Sequence, residues 1–417
     1  MRQTLFYIPH ELLGFPVFGL LSWGSALLLL FASVQIAIAG TADKRSQLIQ
    51  TNGMVWAGIL FVLTFILPRI ETRIEDWTIG LPVRGYGVLL MLGVIFGAAV
   101  GLKRSESRGI SKDAFFSLAT WGVVSGIAGA RLFYVIQHWD TLEGSSLSEK
   151  LYASLQFTEG GLVVYGGVIA GLIATGFWAY RFKVSPLKVA DAVTPAFFLG
   201  LAFGRIGCLL NGCCYGGLCD SSLPSISFPA GSAVYNDQLL SGRLVGLVVK
   251  DERVINVEKD SWADKNHIQP GQTITLMEPR QVDGPTHENP LASPELDLLL
   301  KIDGKTYRAH PLPNRSLGVH PSQIYASFGG LLLFLWTASL SNLIKRQGLI
   351  FASGLIAYGV IRILEEYIRV DEAGQFGTDL SISQWISIGA ILVGAMIIVA
   401  SNWRSKFAAE VETAAMR

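Results

Sequence analysis

Long apolar runs separated by short charged connections organise this chain. Reading each run of about 17–25 apolar residues as a membrane-spanning helix gives nine, near 15–39, 53–68, 85–102, 115–137, 160–180, 188–210, 326–344, 349–367 and 384–402. The second run is short. One stretch breaks the pattern: residues 218–319 are polar and rich in Pro, Asp and Gly. Within it Arg243–Lys250, Gln272–Met277 and Leu296–Ala309 read as strands, the last folded back at Asp303-Gly304, a two-residue hairpin signal. The pattern predicts an all-α polytopic membrane protein with about nine transmembrane helices and a small β-rich extracytoplasmic inserted domain. Its parts are an N-terminal transmembrane hairpin (1–70), a first half of the membrane core (71–217), the insert (218–319), a second half (320–403) and a tail (404–417).

The connecting charges set an orientation. One set of loops holds Lys44 and Arg45, then Lys103, Arg104, Arg108 and Lys112, then Arg181, Lys183 and Lys188, then Lys345 and Arg346, and finally Arg404 and Lys406. The opposite set is mixed or acidic, with Glu71, Glu75 and Asp76, Asp140, Glu143 and Glu149, and Asp371 and Glu372. Basic loops stay in the cytoplasm, so the N-terminus is expected outside and the C-terminus in the cytoplasm. Ala37-Ile38-Ala39 resembles a leader-cleavage site, but the only early positive charge is Arg2, and residues 15–39 read better as a span. The chain is 51% hydrophobic and 16% charged, against about 25% charged for soluble proteins. Its net charge of +1 gives no electrostatic reason to expect nucleic acid as a partner. Glycine, 45 of 417 residues, recurs at packing intervals, as in Gly93, Gly97 and Gly101, where small residues let helices approach in lipid.

The candidate chemistry gathers next to the spans. Gly204-Arg205-Ile206-Gly207-Cys208-Leu209-Leu210-Asn211-Gly212-Cys213-Cys214-Tyr215-Gly216-Gly217 puts an arginine at the end of an apolar run and holds three of the four cysteines, with Cys219 just beyond. An arginine at membrane depth costs at least about 2.5 kcal/mol on insertion scales and is usually kept for a ligand, an ion or a partner charge. The surrounding glycines leave room for a bulky anionic head group, so the segment reads as a lipid-phosphate site; the plainer alternative is an arginine that snorkels to the interface. Arg362, Glu366 and Arg369 fall at helical spacing on one face, and Arg131 and Tyr134 share a face of the fourth span. Asp191, toward the cytoplasmic half, reads as a local cap or ion-pair partner. The C-x4-C-C-x4-C set fits disulfides on an oxidising side, packed thiols, or a metal site, although its spacing matches no common zinc or iron–sulfur pattern. No cofactor is implied.

Taken in order, Arg84-Gly85-Tyr86-Gly87, Gly129-Ala130-Arg131, the paired glycines 160–161 and 166–167, Asp191, Gly204-Arg205 through Asn211-Gly212 and Gly216, His320-Pro321-Ser322-Gln323, and Gly359 through Arg369 resemble the bacterial prolipoprotein diacylglyceryl transferases over about residues 80–403. The resemblance implies a seven-span core, here preceded by two extra spans. It also implies a place in the bacterial plasma (inner) membrane and transfer of diacylglyceryl from phosphatidylglycerol to a prolipoprotein's lipobox cysteine, with release of glycerol 1-phosphate. Phosphatidylglycerol, lipobox segments and the lipid bilayer are then the partners. Arg205, Arg362, Tyr165 and His320 become the catalytic candidates, and Arg205, Tyr86, Arg131, Asn211, Gly166, Gly167, Glu366 and Arg369 the substrate-binding ones.

The departures are informative. Tyr165 stands where the family commonly has histidine, Cys208 and Cys213 where asparagine and glutamate are usual, and Ala326 where a glutamate often follows. A phenol of ordinary pKa near 10 suits hydrogen bonding better than proton abstraction. His320 suits either a surface cap or a catalytic part. The insert is expected to guide or shield the acceptor. Two rival readings remain: a phospholipid-binding paralogue with altered chemistry, and a polytopic transporter, whose polar groups would gather at the midplane of repeated halves.

Overall fold

The structure is a computed structural model, and it describes residues 3–74, 77–139, 142, 146–154, 161, 163–219, 224–284, 289, 291–369 and 377–415. Two units emerge, Met1–Val88 with Gly207–Val319, and Leu89–Ile206 with His320–Arg417.

The chain starts with strands that the apolar pattern did not predict. These are β1 (Thr4–Pro9), β2 (Glu11–Leu12) and β3 (Phe15–Pro16), and, after three helices, β4 (Thr72–Ile74) and β5 (Trp77–Arg84). They form an antiparallel sheet in the order β1-β5-β4 and a small β2-β3 pair. Gly80 permits the first pairing. It sits opposite Pro9 at φ +134, and a Cβ there would fall 2.0 Å from the Ile8 carbonyl oxygen. His10 Nδ1 lies 2.8 Å from Glu71 Oε2 and ties the strand's end to the segment before β4.

Between these strands lie α1 (Trp23–Ile38), α2 (Ala42–Phe61) and α3 (Leu67–Ile70), the last two joined by a π-helical turn at Val62–Ile66. The first expected span, 15–39, is shortened to 16 residues. Phe15 and Pro16 are taken by β3, and Ser22 and Ser25 close a reciprocal capping box that starts the helix at Trp23. The second span lengthens instead. Lys44 and Arg45, expected in a loop, lie in the first turn of α2, which begins after Thr41.

The next helices are α4 (Gly85–Ser107), α5 (Lys112–Gln137), α6 (Leu147–Ser154), α7 (Val164–Arg181) and α8 (Pro186–Asn211). The insert carries α9 (Ala233–Leu240), β6 (Leu247–Lys250), β7 (Arg253–Val257), α10 (Trp262–Lys265), β8 (Ile274–Asp283), β9 (Glu295–Ile302) and β10 (Lys305–Ala309). The chain closes with α11 (Ser322–Leu343), α12 (Leu349–Glu366) and α13 (Ile382–Ala415). Among the described residues, six helices are long and apolar enough to cross a membrane: Ala42–Ile70, Gly85–Ser107, Lys112–Gln137, Pro186–Asn211, Ser322–Leu343 and Ile382–Trp403. The protein is therefore polytopic. Helix α12 falls short of that set because Arg362, Glu365 and Glu366 crowd its last turns.

In the insert, β8, β9 and β10 form an antiparallel sheet with β9 central, and β6 pairs with β7. Asp303 (φ +47) and Gly304 (φ +79) make the β9–β10 turn with both central residues left-handed, the geometry that suits a two-residue hairpin. Residues Arg243–Val245, expected as strand, form a 3-10 turn because left-handed Gly242 and Gly246 bracket them. Tyr235 and Leu239 from α9 bury against Leu247, Leu298, Leu300 and Ile302. Burial raises the Tyr235 phenol above its ordinary range, and the ring serves packing.

Within the second unit, α5 and α7 touch backbone to backbone. A Cβ on Gly166 would lie 2.4 Å from the Gly129 carbonyl oxygen, and one on Gly167 would lie 3.0 Å from that of Gly126. Asp191, fully buried on α8, fixes another junction. Its carboxylate accepts from the Gly348 amide at 2.7 Å, the Phe351 amide at 2.9 Å and Arg108 Nη1 at 3.0 Å. A carboxylate at a helix start satisfies amides that have no partner within the helix, so Asp191 caps α12.

Candidate functional site

The second unit holds a small pocket where α8, α11 and α12 meet. Its cavity volume is only about 10 Å³, room for about one water, and Arg205, Gly329, Gly330, Tyr358, Ile361 and Glu365 are among its lining residues. Small residues on α11 allow this approach. A Cβ on Gly330 would sit 3.1 Å from the Ala202 amide nitrogen, and Ser327 Oγ donates to the Ala202 carbonyl at 3.0 Å. On the adjacent face, the Cβ position of Gly329 is 3.1 Å from Ile361 and 3.5 Å from Glu365 Oε1. Replacing either glycine by a larger residue would push Arg205 and Glu365 apart.

Charge concentrates at the end of α12. Arg205, Arg362 and Arg369 all bear electrostatically on Glu365. Arg362 and Glu366 are both buried, with Nη1 and Oε2 2.7 Å apart. These two atoms are close but not aligned as a hydrogen bond, so the contact is that of an ion pair. Arg369 lies just past the helix end, where its amide donates to the Glu366 carbonyl at 3.1 Å. Three guanidinium groups and two carboxylates thus share one region. The set carries a net positive charge in apolar surroundings, which favours an anion with several oxygens.

Glu365 and Tyr358 were missed in the sequence. Tyr358, Ile361 and Glu365 recur at i, i+3 and i+7, a signal for one helical face. The i, i+4 spacing of Arg362 drew attention to Glu366 instead. His320 is half-buried one residue before the cap of α11, and its carbonyl accepts from the Ser322 amide at 2.8 Å. Gln323, on the first turn of α11, is fully buried.

Other expected positions have different surroundings. Arg131 is buried, and its guanidinium donates to the Ser154 and Ala153 carbonyls at 2.8 Å each and to the Gly161 carbonyl at 3.2 Å, with Tyr134 stacked below it. It closes the carbonyl end of α6. Gly166 and Gly167 are in the α5–α7 contact already described. Tyr165 is on the first turn of α7, but its side chain lies outside the described residues, as does the whole of Gly160.

In the first unit, Tyr86 packs on Gly207, whose Cβ position is 3.0 Å from Tyr86 Cδ2. The Asn211 carbonyl accepts from Gln3 Nε2 at 3.2 Å. The turn after α8 brings Cys208, Cys213 and Cys214 together, and no disulfide joins any of the four cysteines. The insert braces this turn. Phe228 and Val234 bury against Leu209 and Tyr215, the Val234 amide donates to the Gly212 carbonyl at 3.2 Å, and Tyr215 Oη donates to Asp237 at 2.6 Å. The first part of the insert is therefore structural support for the turn, not a removable appendage.

Comparison with known proteins adds an independent line. A family model described as prolipoprotein diacylglyceryl transferase matches residues 76–400. The phosphatidylglycerol–prolipoprotein diacylglyceryl transferase of Rhodopirellula baltica is 36% identical over 453 aligned residues, covering 97% of this chain and 90% of that protein. The enzyme of the same name from Clostridium tetani is 25% identical, covering 78% and 96%. A second Clostridium enzyme, from Clostridium perfringens, is 27% identical over 78% and 92%.

The Arg362–Glu366 pair yields a stability test. Removing one member of a buried pair strands the other charge and costs about 3–5 kcal/mol. Arg362→Ala and Glu366→Ala should each lower the midpoint of thermal unfolding in detergent, and the double variant should lose clearly less than the sum. Additive losses would show that the two groups do not hold one another.

Proposed function

The chain belongs to the prolipoprotein diacylglyceryl transferase family, and we propose on that basis that it moves diacylglyceryl from phosphatidylglycerol to the lipobox cysteine of a prolipoprotein. Glycerol 1-phosphate is released. The structural observation that supports this reading is that Arg205 and Glu365 line one pocket among apolar helices, with the buried Arg362–Glu366 pair on the same helix end. The protein works in the inner membrane with its N-terminus outside and C-terminus in the cytoplasm. Helices α1, α7 and α12 add to the six long apolar ones to make nine spans.

In the reaction, the lipobox sulfur bonds to the glycerol carbon that bears the phosphate ester, and the carbon–oxygen bond breaks. The electron pair leaves with the phosphate monoester, and the thiol proton passes to a base. Negative charge grows on the departing phosphate, and donors aimed at such charge usually give an enzyme its largest rate effect. Arg205 and Arg362 fill that role because planar guanidinium forks match phosphate oxygens. Glu365 and Glu366 hold the forks in place, and Arg369 adds to the positive field. A free thiol, with a pKa of about 8.5, is mostly protonated at neutral pH, so a proton acceptor speeds attack. The His320 imidazole takes that part, with Tyr165 donating a hydrogen bond to the lipid head group.

Tyr165 at a position where the family commonly has histidine favours a second reading, a phospholipid-binding protein with altered chemistry. Incubating the purified protein with phosphatidylglycerol and a lipobox peptide separates the two. A thioether-linked diacylglyceryl peptide is expected, with phosphatidylethanolamine a much poorer donor. An unchanged peptide mass, under conditions where a known family member succeeds, rules transfer out. Arg205→Lys keeps charge but loses the fork, so it should remove most of the activity while insertion into the membrane is preserved. Full activity in Arg205→Lys and Arg205→Ala would return the arginine to an interfacial anchor.

The strand-bearing part of the insert guides the acceptor's soluble body. A full-length prolipoprotein should then show a lower KM than its isolated lipobox peptide at similar kcat, and equal KM values for the two acceptors would dismiss that role.

A further inference from the structure

The turn after α8 assembles a group of side chains to which the proposed transfer assigns no part. The Sγ atoms of Cys208, Cys213 and Cys214 all lie within 4.8 Å of one another, and all three residues are half-buried. The backbone is bent to bring them there. Gly212, at φ +73, reverses the chain after Asn211, and the Cys213 amide then donates back to the Cys208 carbonyl at 3.1 Å. Cys214 itself adopts φ +56, a left-handed conformation that strains a non-glycine residue and tends to persist at functional sites. The turn is also held from outside. Phe228 and Ser232 pack on Gly212, whose Cβ position lies 3.2 and 3.1 Å from them.

We propose that Cys208, Cys213 and Cys214 form a three-thiolate site for a thiophilic divalent cation, with Zn²⁺ as its simplest occupant. A Zn–S distance of about 2.3 Å in tetrahedral geometry places thiolates about 3.8 Å apart. The three sulfurs need to close by about 1 Å at most to reach that spacing. Binding forms three Zn–S bonds and releases three protons, and no electron moves. A water takes the fourth position. A disulfide would use only two of the three thiols and leave the third against it. Soft thiolate ligands select zinc over the hard cations calcium and magnesium. The three thiolates formed on binding carry three negative charges close together, and the divalent cation offsets two of them. Cys219 stays outside the set, its Sγ directed to the Pro224 carbonyl at 3.9 Å. Bound zinc would clamp the end of α8, three residues beyond Arg205 in the chain. The site stands independently of the transferase reading.

The test uses full-length protein in detergent, kept reduced and titrated with Zn²⁺. One zinc per chain should remain after gel filtration. Alkylation read by mass spectrometry should slow at least about tenfold at Cys208, Cys213 and Cys214 and stay unchanged at Cys219. Single Cys→Ser changes at the three positions should each weaken zinc binding by about tenfold or more, and Cys219→Ser should not. Cobalt added to the wild-type protein gives a readout that needs no variant, because thiolate ligation produces intense charge-transfer absorption near the ultraviolet. Less than about 0.2 zinc per chain at micromolar metal, absence of that absorption, zinc held equally by the Cys208→Ser protein, or a disulfide joining two of the three cysteines in protein isolated without reductant would each overturn the proposal.

Discussion

A charge placed among apolar helices must be held by an opposite charge or by a ligand, and the end of α12 is arranged around that constraint. Arg362 is buried against Glu366, and Glu365 is acted on by Arg205 from α8 and by Arg362 and Arg369 from its own segment. Burying an ion pair seldom stabilises a fold as much as apolar packing would. The proposed anion site gives five ionic groups, with arginine in excess, a reason to be kept there. Phosphate is the anion whose oxygens best fit several guanidinium forks.

That arrangement depends on how closely the backbones approach. Gly329 and Gly330 let α11 lie against α12 and α8, so that Arg205 and Glu365 line one pocket. Far along α8, Asp191 caps the start of α12 through the Gly348 and Phe351 amides. One helix thus anchors the beginning of α12 and meets its end. Gly129 and Gly166 make the corresponding contact between α5 and α7. Many of the helical glycines serve such junctions, and the charged end of α12 sits on the frame they make.

Much of this was legible in the sequence, and the reasons differ by element. Helix positions followed from apolar runs because lipid-facing surface must be apolar all along a span. The Asp303-Gly304 hairpin was legible because both turn residues need left-handed backbone that few residue types accept. The sheet formed by β1, β5 and β4 was not, since Thr4–Pro9 and Trp77–Arg84 pair across 70 and more intervening residues and neither shows clean alternation. The site was legible in part. Arg205, Arg362 and Glu366 stood out as charges inside apolar runs, whereas Glu365 was overshadowed by its neighbour. Gly166 and Gly167 were read as lipid-binding positions, yet helix packing occupies their faces, a contact only the fold reveals. Arg131 likewise spends its donors on the carbonyls of Ala153, Ser154 and Gly161, a use that no local pattern announces.

The central claim is that the Arg205 guanidinium stabilises a departing phosphate. Chemical rescue probes it most directly, by measuring transfer from phosphatidylglycerol to a lipobox peptide in Arg205→Ala at rising guanidinium concentration, with sodium at matched ionic strength as control. Free guanidinium entering the vacated space should restore a saturable part of the lost rate, and sodium should restore none. A folded Arg205→Ala protein that still binds phosphatidylglycerol, yet responds equally to the two cations or to neither, would contradict the assignment.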